Sequence, residues 1–350
     1  MSSHRFAHWH SWEPVEDVAK MDSSSVRWGV IGCAGIAINA VIPAIQASRN
    51  GRVVAIASRT LDKARDAAQR LGIAHAYGSY AALLDDKEID AVYFPLPNNL
   101  HCEWTMRAAQ KGKHVLCEKP LALTPEECDA MIDACDRHGV YLMEAFMYRF
   151  HPQTDKVQEL IRQGIVGESR LVRSAFTFPV SRPNDIRLRK DLGGGAVMDV
   201  GCYCINVARL MFQDEPFEVT AAADFGAETD VDEMLGAVLR FSDRRIAVFD
   251  CGLRTNRREM YEVVGTKAAI EVPVAFIPRE LDATIYIVRG REREAITIPG
   301  TNEYRLMAEH FADCVLQRHP PRFPPGDARA NMRVIRAVLE AARNKQIVRL

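Results

Sequence analysis

The sequence predicts a two-domain α/β protein: a parallel sheet covered by helices on both faces, then a second α/β unit built on a large, mainly antiparallel open sheet. Three observations carry this reading. From Val26 to about residue 147, short apolar β-rich runs alternate with helical segments, the pattern of a parallel sheet with both faces covered. Past about residue 150 the alternation gives way to strands separated by turn signals, with few helices, which reads as largely antiparallel. The chain has 350 residues, more than one ordinary core holds and enough for two domains. The expected divisions are an arm over 1–25, a first domain over 26–147 and a second over 148–350.

The elements follow in order. "VRWGVI" is a short strand, "GCAG" a glycine-rich turn, and the segment through Ala47 a helix. "RVVAIAS" is the second strand, and "DKARDAAQRLG" is a helix with a glycine stop. "DAVYFPLP" is a strand and "NNLHCEWTMRAAQKG" another glycine-terminated helix. "HVLCEKP" precedes "TPEECDAMIDACDRHG", where Thr124 is a good N-cap, Pro125 suits the first helical position and Glu127 completes a capping box. "VYLMEAF" closes the first series. In the second half "RLVRSAFTFPV", "FEVTAAADF", "EMLGAVLRF", "RIAVFDCGL", "EMYEVVG" and "ATIYIVR" read as strands. Two helices end the chain, "EYRLMAEHFADCVLQ" and "DARANMRVIRAVLEAARN". An antiparallel sheet of this kind often leaves one face uncovered, a candidate subunit interface.

Composition excludes several functions. The formal net charge is -1, which gives no electrostatic footprint for nucleic acid or an anionic membrane. No run of about 18 consecutive apolar residues occurs; "GVIGCAGIAINAVIPAI" is broken by Gly, Asn and Pro. The 9 cysteines are odd in number and lack metal-ligand spacing, so the expectation is reduced thiols in a cytoplasmic protein without a metal. Cys202 and Cys204 fall two apart in a helical stretch, where such residues do not share a face. The first 25 residues lack the apolar core of a signal peptide. His4, His8 and His10 within them invite a metal reading, but a loosely ordered polar arm is expected, one that could also wrap a neighbouring subunit.

A cofactor site is suggested where the first strand meets the first helix. There a dinucleotide pyrophosphate would face backbone N–H groups at a helix N-terminus. Gly32, Cys33, Ala34, Gly35, Ile36 and Ala37 form this turn. The match to G-x-G-x-x-G is imperfect: Ala34 and Ala37 hold the second and third glycine positions, and Gly35 is one place off. At the end of the second strand, where NAD enzymes carry an acid for the ribose hydroxyls, this chain has "ASRT". Ser58 and Arg59 suit a 2′-phosphate, with Lys63 on the same side, and so point to NADP rather than NAD. The alternative is a solvated arginine at a strand end.

With "GCAGIA", "PLPNNLH", "CEKP", "LMEAFMYRFHP" and "GGGAVMDVGCY" in place, the chain from Val26 onward resembles the Gfo/Idh/MocA family of oxidoreductases. The resemblance implies a Rossmann NAD(P) domain joined to a substrate-binding and oligomerisation domain whose open sheet makes homodimers or homotetramers. The family oxidises or reduces a carbon of a sugar, cyclitol or diol. The lysine of its EKP motif lies beside the nicotinamide, which assigns Lys119 a catalytic role and Glu118 a part in holding the cofactor region. The tight strand exit suggests a cis Lys119–Pro120 bond.

Asp199 and Tyr203 stand four apart, on one side of a helix, after Gly193, Gly194 and Gly195, which would let backbone pass close to a ligand. A tyrosine at position 203, where many family members have histidine, resembles the branch containing glucose-fructose oxidoreductase, dimeric dihydrodiol dehydrogenase, NADP xylose dehydrogenase and nucleotide-sugar 3-ketoreductases. The alternative for Tyr203 is a core aromatic with its hydroxyl satisfied. Pro97, Asn98 and His101 fall at the cofactor edge, with His101 either capping its helix or touching the nicotinamide ribose. Arg187 resembles a position that reaches cofactor or substrate. For Glu144, Tyr148 and Arg149 a structural salt bridge and a ligand contact stay open.

The expected chemistry is hydride transfer between NADP and a sugar or small diol. Tyr203 would move the hydroxyl proton, Lys119 would lower the tyrosine pKa and orient the substrate oxygen, and Asp199 would bind a second hydroxyl or hold Lys119. Alternatives are a nucleotide-sugar 3-ketoreductase, a glucose-fructose oxidoreductase-like enzyme with tightly held NADP, and a non-catalytic NADP-sensing protein.

Overall fold

The computed structural model describes residues 24–350; His4, His8 and His10 lie outside the described residues. The first sheet has six strands: β1 (Val26–Ile31), β2 (Gly51–Ala57), β3 (His75–Tyr77), β4 (Ala91–Phe94), β5 (His114–Cys117) and β6 (Leu142–Glu144). They lie in the order β3-β2-β1-β4-β5-β6, all parallel. The order reverses between β1 and β4, so the crevice at their carboxyl ends is where an open α/β sheet takes a ligand. Burial explains why these strands read as near-continuous apolar runs. Val26, Trp28, Val30 and Ile31 of β1 and every residue of β4 are fully covered, as strands between two helical layers must be.

The helices are α1 (Ile42–Gln46), α2 (Leu61–Leu71), α3 (Tyr80–Leu84), α4 (His101–Gln110), α5 (Pro125–Arg137), α6 (Pro152–Arg162), α7 (Cys202–Phe212), α8 (Glu303–Gln317) and α9 (Pro325–Asn344). The expected cap of α5 forms: the Glu127 N–H donates to Thr124 Oγ1 at 3.2 Å. Glu127 reaches back to the N–H of Leu123, at 2.8 Å, one residue before the usual capping-box partner.

The second sheet has nine strands: β7 (Ser169–Thr177), β8 (Glu218–Phe225), β9 (Asp232–Arg240), β10 (Ile246–Gly252), β11 (Arg258–Gly265), β12 (Ala269–Val272), β13 (Ala283–Arg289), β14 (Glu292–Ile298) and β15 (Val348–Arg349). Their order is β14-β13-β12-β11-β7-β10-β9-β8-β15. Every pair is antiparallel except β7 with β10, which run parallel. The inner face packs on α7, whose residues are nearly all buried. By composition the stretch Lys190–Phe212 could cross a membrane, but its apolar window is 89% buried inside the protein, which makes it a core segment.

Aromatic rings fill the space between this sheet and the first domain. Phe176 stacks on Phe276 with centroids 5.1 Å apart, and Tyr148 meets Phe276 edge-on at 5.4 Å. Several polar groups at the junction pair with one another. Tyr148 donates to Asn206 Oδ1 at 2.6 Å, and Arg149 and Arg209 both pair with Asp327 of α9. Tyr148 and Arg149 are therefore structural. Glu144 accepts the Leu121 N–H at 2.8 Å, and burial, with Asp327 adding to it, lifts its carboxyl to about 8. All nine cysteines are free.

The outer face of the second sheet is open among the described residues. Val238, Ile246 and Val248 are exposed on it, flanked by the ion pairs Arg173–Glu262 at 2.8 Å, Arg240–Glu218 at 2.7 Å and Arg293–Glu271 at 2.6 Å.

Candidate active site

The carboxyl end of β1 forms the first wall. Gly32 takes φ +117°, a conformation that favours glycine, and its N–H donates to Ala57 O at 2.9 Å. The helix that follows begins at Gly35 and runs into a π turn, Ala37–Val41. Its leading backbone N–H groups are left for an anion. A Cβ on Gly35 would meet nothing closer than Asn39 Nδ2 at 3.7 Å, so the turn is open where a pyrophosphate would lie. At the end of β2, Ser58 is buried while Arg59 and Lys63 are exposed, and neither cation has an ion pair among the described residues. An unpaired guanidinium and ammonium with no carboxylate at this strand end fit a 2′-phosphate.

The second wall is the turn after β5. Glu118 is held in place: Tyr93 donates to its Oε1 at 2.6 Å, and the Lys119 N–H lies 3.2 Å from its Oε2. The Lys119–Pro120 bond is cis, as the sequence predicts. This turn aims Lys119 across the crevice to the first turn of a helix in the next domain. Its Nζ donates to the Asp199 carbonyl at 2.8 Å and to Asp199 Oδ1 at 3.1 Å. Arg187 Nε closes the other side of that carboxylate, at 2.6 Å from Oδ2. Burial alone would raise Asp199, but Lys119 and Arg187 outweigh it and hold the carboxyl at about 2. Burial opposes the Lys119 ammonium too, yet the Asp199 charge keeps its pKa above the usual lysine value. The site therefore holds a fixed ammonium, with one N–H left once two are engaged.

Tyr203 is brought beside this group. Lys119 Nζ lies 5.2 Å from the centre of its ring. The hydroxyl, however, contacts Met147 Sδ at 3.4 Å, and the ring is enclosed by Phe146, Phe176 and Phe276 at centroid distances of 4.9, 5.3 and 5.3 Å. Burial pushes the phenol well above its ordinary pKa. The expected lowering by Lys119 is therefore absent in this arrangement: the ammonium lies over the ring and not against the oxygen. Asp199 sits in a π turn, Val197–Gly201, so its four-residue spacing to Tyr203 is not one α-helical step.

The remaining expected residues are placed differently. Pro97 and Asn98 are half-exposed at the crevice, and Asn98 donates to Gly193 O at 2.8 Å. His101 needs correction as a cofactor contact. It is fully buried, and both ring nitrogens face protein carbonyls, so it braces the site from beneath. The glycine run also serves the protein itself. A Cβ on Gly193 would come 2.3 Å from Leu123 Cδ2, and one on Gly195 would come 2.2 Å from Asp232 Oδ1.

Comparison with known proteins places this geometry. Residues 26–146 match the oxidoreductase family with an NAD-binding Rossmann fold, and residues 154–271 match the GFO/IDH/MocA C-terminal domain. A D-xylose 1-dehydrogenase (NADP(+)) from Haloferax volcanii is 41% identical over 93% of this chain and 100% of that relative. The chain belongs to the Gfo/Idh/MocA family. It is accordingly an NAD(P)-dependent oxidoreductase acting on CH–OH groups. A trans-1,2-dihydrobenzene-1,2-diol dehydrogenase from Xenopus tropicalis is 32% identical over 84% of this chain and 90% of its own length. The crystal structure of a 3-ketoreductase from Actinomadura kijaniata, in complex with NADP and TDP-benzene, superposes with a TM-score of 0.87 at 33% identity, over 91% of this chain and 98% of that one.

Family motifs do not reveal every supporting residue. Asp232 accepts the Val197 N–H at 2.7 Å and so caps the helix that carries Asp199; burial lifts it to about 7. It stands in a polar stretch, "ETDVDEM", that reads as a turn. Tyr93 reads only as a strand residue.

The Asp199 ion pairs have a definite pH signature. Its folded pKa is depressed, so the stability it adds is fully present above the unfolded value near about 4 and is lost as pH falls through about 2. Asp199→Asn should therefore cost about 2 kcal/mol or more at pH 5, and the gap to the unsubstituted protein should shrink between pH 4 and pH 2. Urea unfolding at several pH values checks this; a gap that does not change with pH would contradict it.

Proposed function

We propose that this protein transfers hydride between NADP and a carbinol or carbonyl carbon of a sugar or small diol, in the manner of an aldose 1-dehydrogenase or a dihydrodiol dehydrogenase. The observation that carries this is the Lys119 ammonium, fixed by Asp199 after the carboxyl end of β5, in the crevice that also holds the helix start at Gly35 and, among the described residues, unpaired Arg59 and Lys63. Residues 26–147 hold the cofactor: the turn from Gly32 to Ala37 receives the pyrophosphate, Ser58, Arg59 and Lys63 the 2′-phosphate, and Pro97, Asn98 and Glu118 shape the nicotinamide end. Residues 148–350 supply the substrate side.

NADP, when bound, supplies or accepts the hydride. The protein's own groups handle charge and protons. Lys119 donates its free N–H to the reacting oxygen and stabilises negative charge as it develops there. Tyr203 is the proton-transfer group. Asp199 keeps Lys119 extended, and Arg187 neutralises the remaining carboxylate charge. Variants of the Actinomadura ketoreductase were made at a lysine and at a tyrosine separated by the same number of residues as Lys119 and Tyr203, which supports pairing these two.

One observation favours the reductive direction, with a carbonyl compound such as a ketosugar as substrate. Burial keeps Tyr203 a neutral phenol, the form that gives a proton to a carbonyl. Oxidation needs the phenol to lose that proton and should accelerate as pH rises.

The nine free thiols suit a reducing, cytoplasmic compartment. The open sheet face, with Val238, Ile246 and Val248 exposed between ion pairs, is the surface for a homodimer or homotetramer. Sedimentation at micromolar concentration should give at least a dimer; a clean 39.2 kDa monomer would contradict it.

Cofactor choice is tested at Arg59. Arg59→Asp removes a charge-assisted contact and adds repulsion, so it should weaken NADP by about tenfold or more while leaving NAD affinity nearly unchanged. Activity with NADP across aldoses, diols and ketosugars fixes the substrate class. Equal affinity for NAD and NADP in the unsubstituted protein would overturn the assignment.

A further inference from the structure

The Lys119 turn needs a support that the family motifs do not name. A buried imidazole lies directly beneath it. His101 opens α4 and is fully buried. Its Nδ1 lies 3.0 Å from Pro120 O, and its Nε2 lies 3.0 Å from Leu96 O. Pro120 follows the lysine in the turn after β5. Leu96 belongs to the loop after β4, which carries Pro97 and Asn98. One ring thus spans the two loops that form the crevice. Both carbonyls are acceptors in a dry interior, and burial disfavours the imidazolium, so the ring donates its one N–H to one carbonyl and packs against the other. Proline supplies no N–H of its own, so its carbonyl is the polar handle by which that residue can be held.

We infer that His101 is a positioning residue for Lys119: its imidazole, wedged between the Pro120 carbonyl of the lysine turn and the Leu96 carbonyl of the neighbouring loop and donating its single N–H to one of them, fixes the direction in which the ammonium extends. The inference rests on the hydride-transfer reading for its kinetic consequence but on geometry alone for its structural one. Other fasteners act along the same turn. The Leu121 N–H is held by Glu144 at 2.8 Å, and Glu118 is held by Tyr93 at 2.6 Å. His101 touches both this turn and a second loop of the site. From there Asn98 continues to Gly193 O at 2.8 Å, in the segment leading to Asp199. Lys119 and its anchor are thereby set from both sides.

Two variants test this. His101→Phe keeps the ring's bulk and removes both nitrogens. His101→Gln keeps an amide N–H able to reach one carbonyl. Three quantities are read: kcat with NADP and the best substrate, NADP affinity, and the reactivity of Lys119 toward acetic anhydride, measured by mass spectrometry. In His101→Phe, kcat should fall on the order of tenfold to a hundredfold, the scale of a displacement near 1 Å in a reacting group. NADP affinity should stay within about threefold, and Lys119 should label at least about twofold faster. His101→Gln should recover part of both changes. Rates and labelling like the unsubstituted protein in both variants would overturn the inference. So would a folded His101→Gln no better than His101→Phe, because bulk alone would then be what matters. Should His101→Phe not fold, His101→Gln decides: faster Lys119 labelling supports the inference and unchanged labelling overturns it. If the unsubstituted protein turns over no sugar or diol, the functional reading fails, while the labelling still decides this point without turnover.

Discussion

The contact between Lys119 and Asp199 ties the two halves of the protein together. One partner stands on the turn after β5, at the edge of the parallel sheet. The other stands on the helix that packs inside the second domain against β7. Neither charge is stable alone in that position. Removing one member of a buried pair typically costs about 3–5 kcal/mol, because the survivor is left unpaired away from water. Arg187 makes the arrangement a trio and holds Asp199 ionised despite its burial. The geometry of the crevice follows from that constraint: the strand must end where Lys119 can reach, and the helix must begin where Asp199 can receive it.

The local oddities of the chain then have physical reasons. A π turn places Asp199. Gly195 is required because the carboxylate of Asp232 occupies the space its side chain would need, and that carboxylate caps the same helix. Tyr203 belongs to two environments at once. Its ring completes the aromatic core between the domains, and the ammonium passes over its face. That double membership explains why burial raises its phenol while it still stands beside the reacting region.

Much of this was legible in the sequence, and the gaps have causes. β1, β4 and β5 are buried on both faces and announce themselves as apolar runs, and α8 begins and ends where its periodicity indicates. β3, with the residues His-Ala-Tyr at a half-exposed edge, carries no such signal. β14 is charged and lies at the outer edge of the second sheet, so it reads as a loop; β15 has only two residues. α6 was hidden by its polar composition. At the site, the family resemblance foretold the Lys119 turn, and residue types pointed to Ser58 and Arg59 at the end of β2. They did not foretell partners distant in the chain. That Asp232 caps a helix, that Tyr93 holds Glu118, and that His101 lies beneath the site are facts of tertiary packing, which spacing along one element does not encode.

The central claim is that Lys119 and Tyr203 act as one proton-handling unit. The most direct measurement is kcat for Tyr203→Phe, Lys119→Ala and the double variant, with NADP affinity followed in parallel. Losing general acid–base help should lower kcat on the order of 10²–10⁴-fold in each single variant while cofactor binding survives. The double variant should be little worse than the worse single, because groups that work as a unit are not additive. Near-full turnover in Tyr203→Phe would contradict the account and leave Tyr203 as a core aromatic whose hydroxyl rests on Met147.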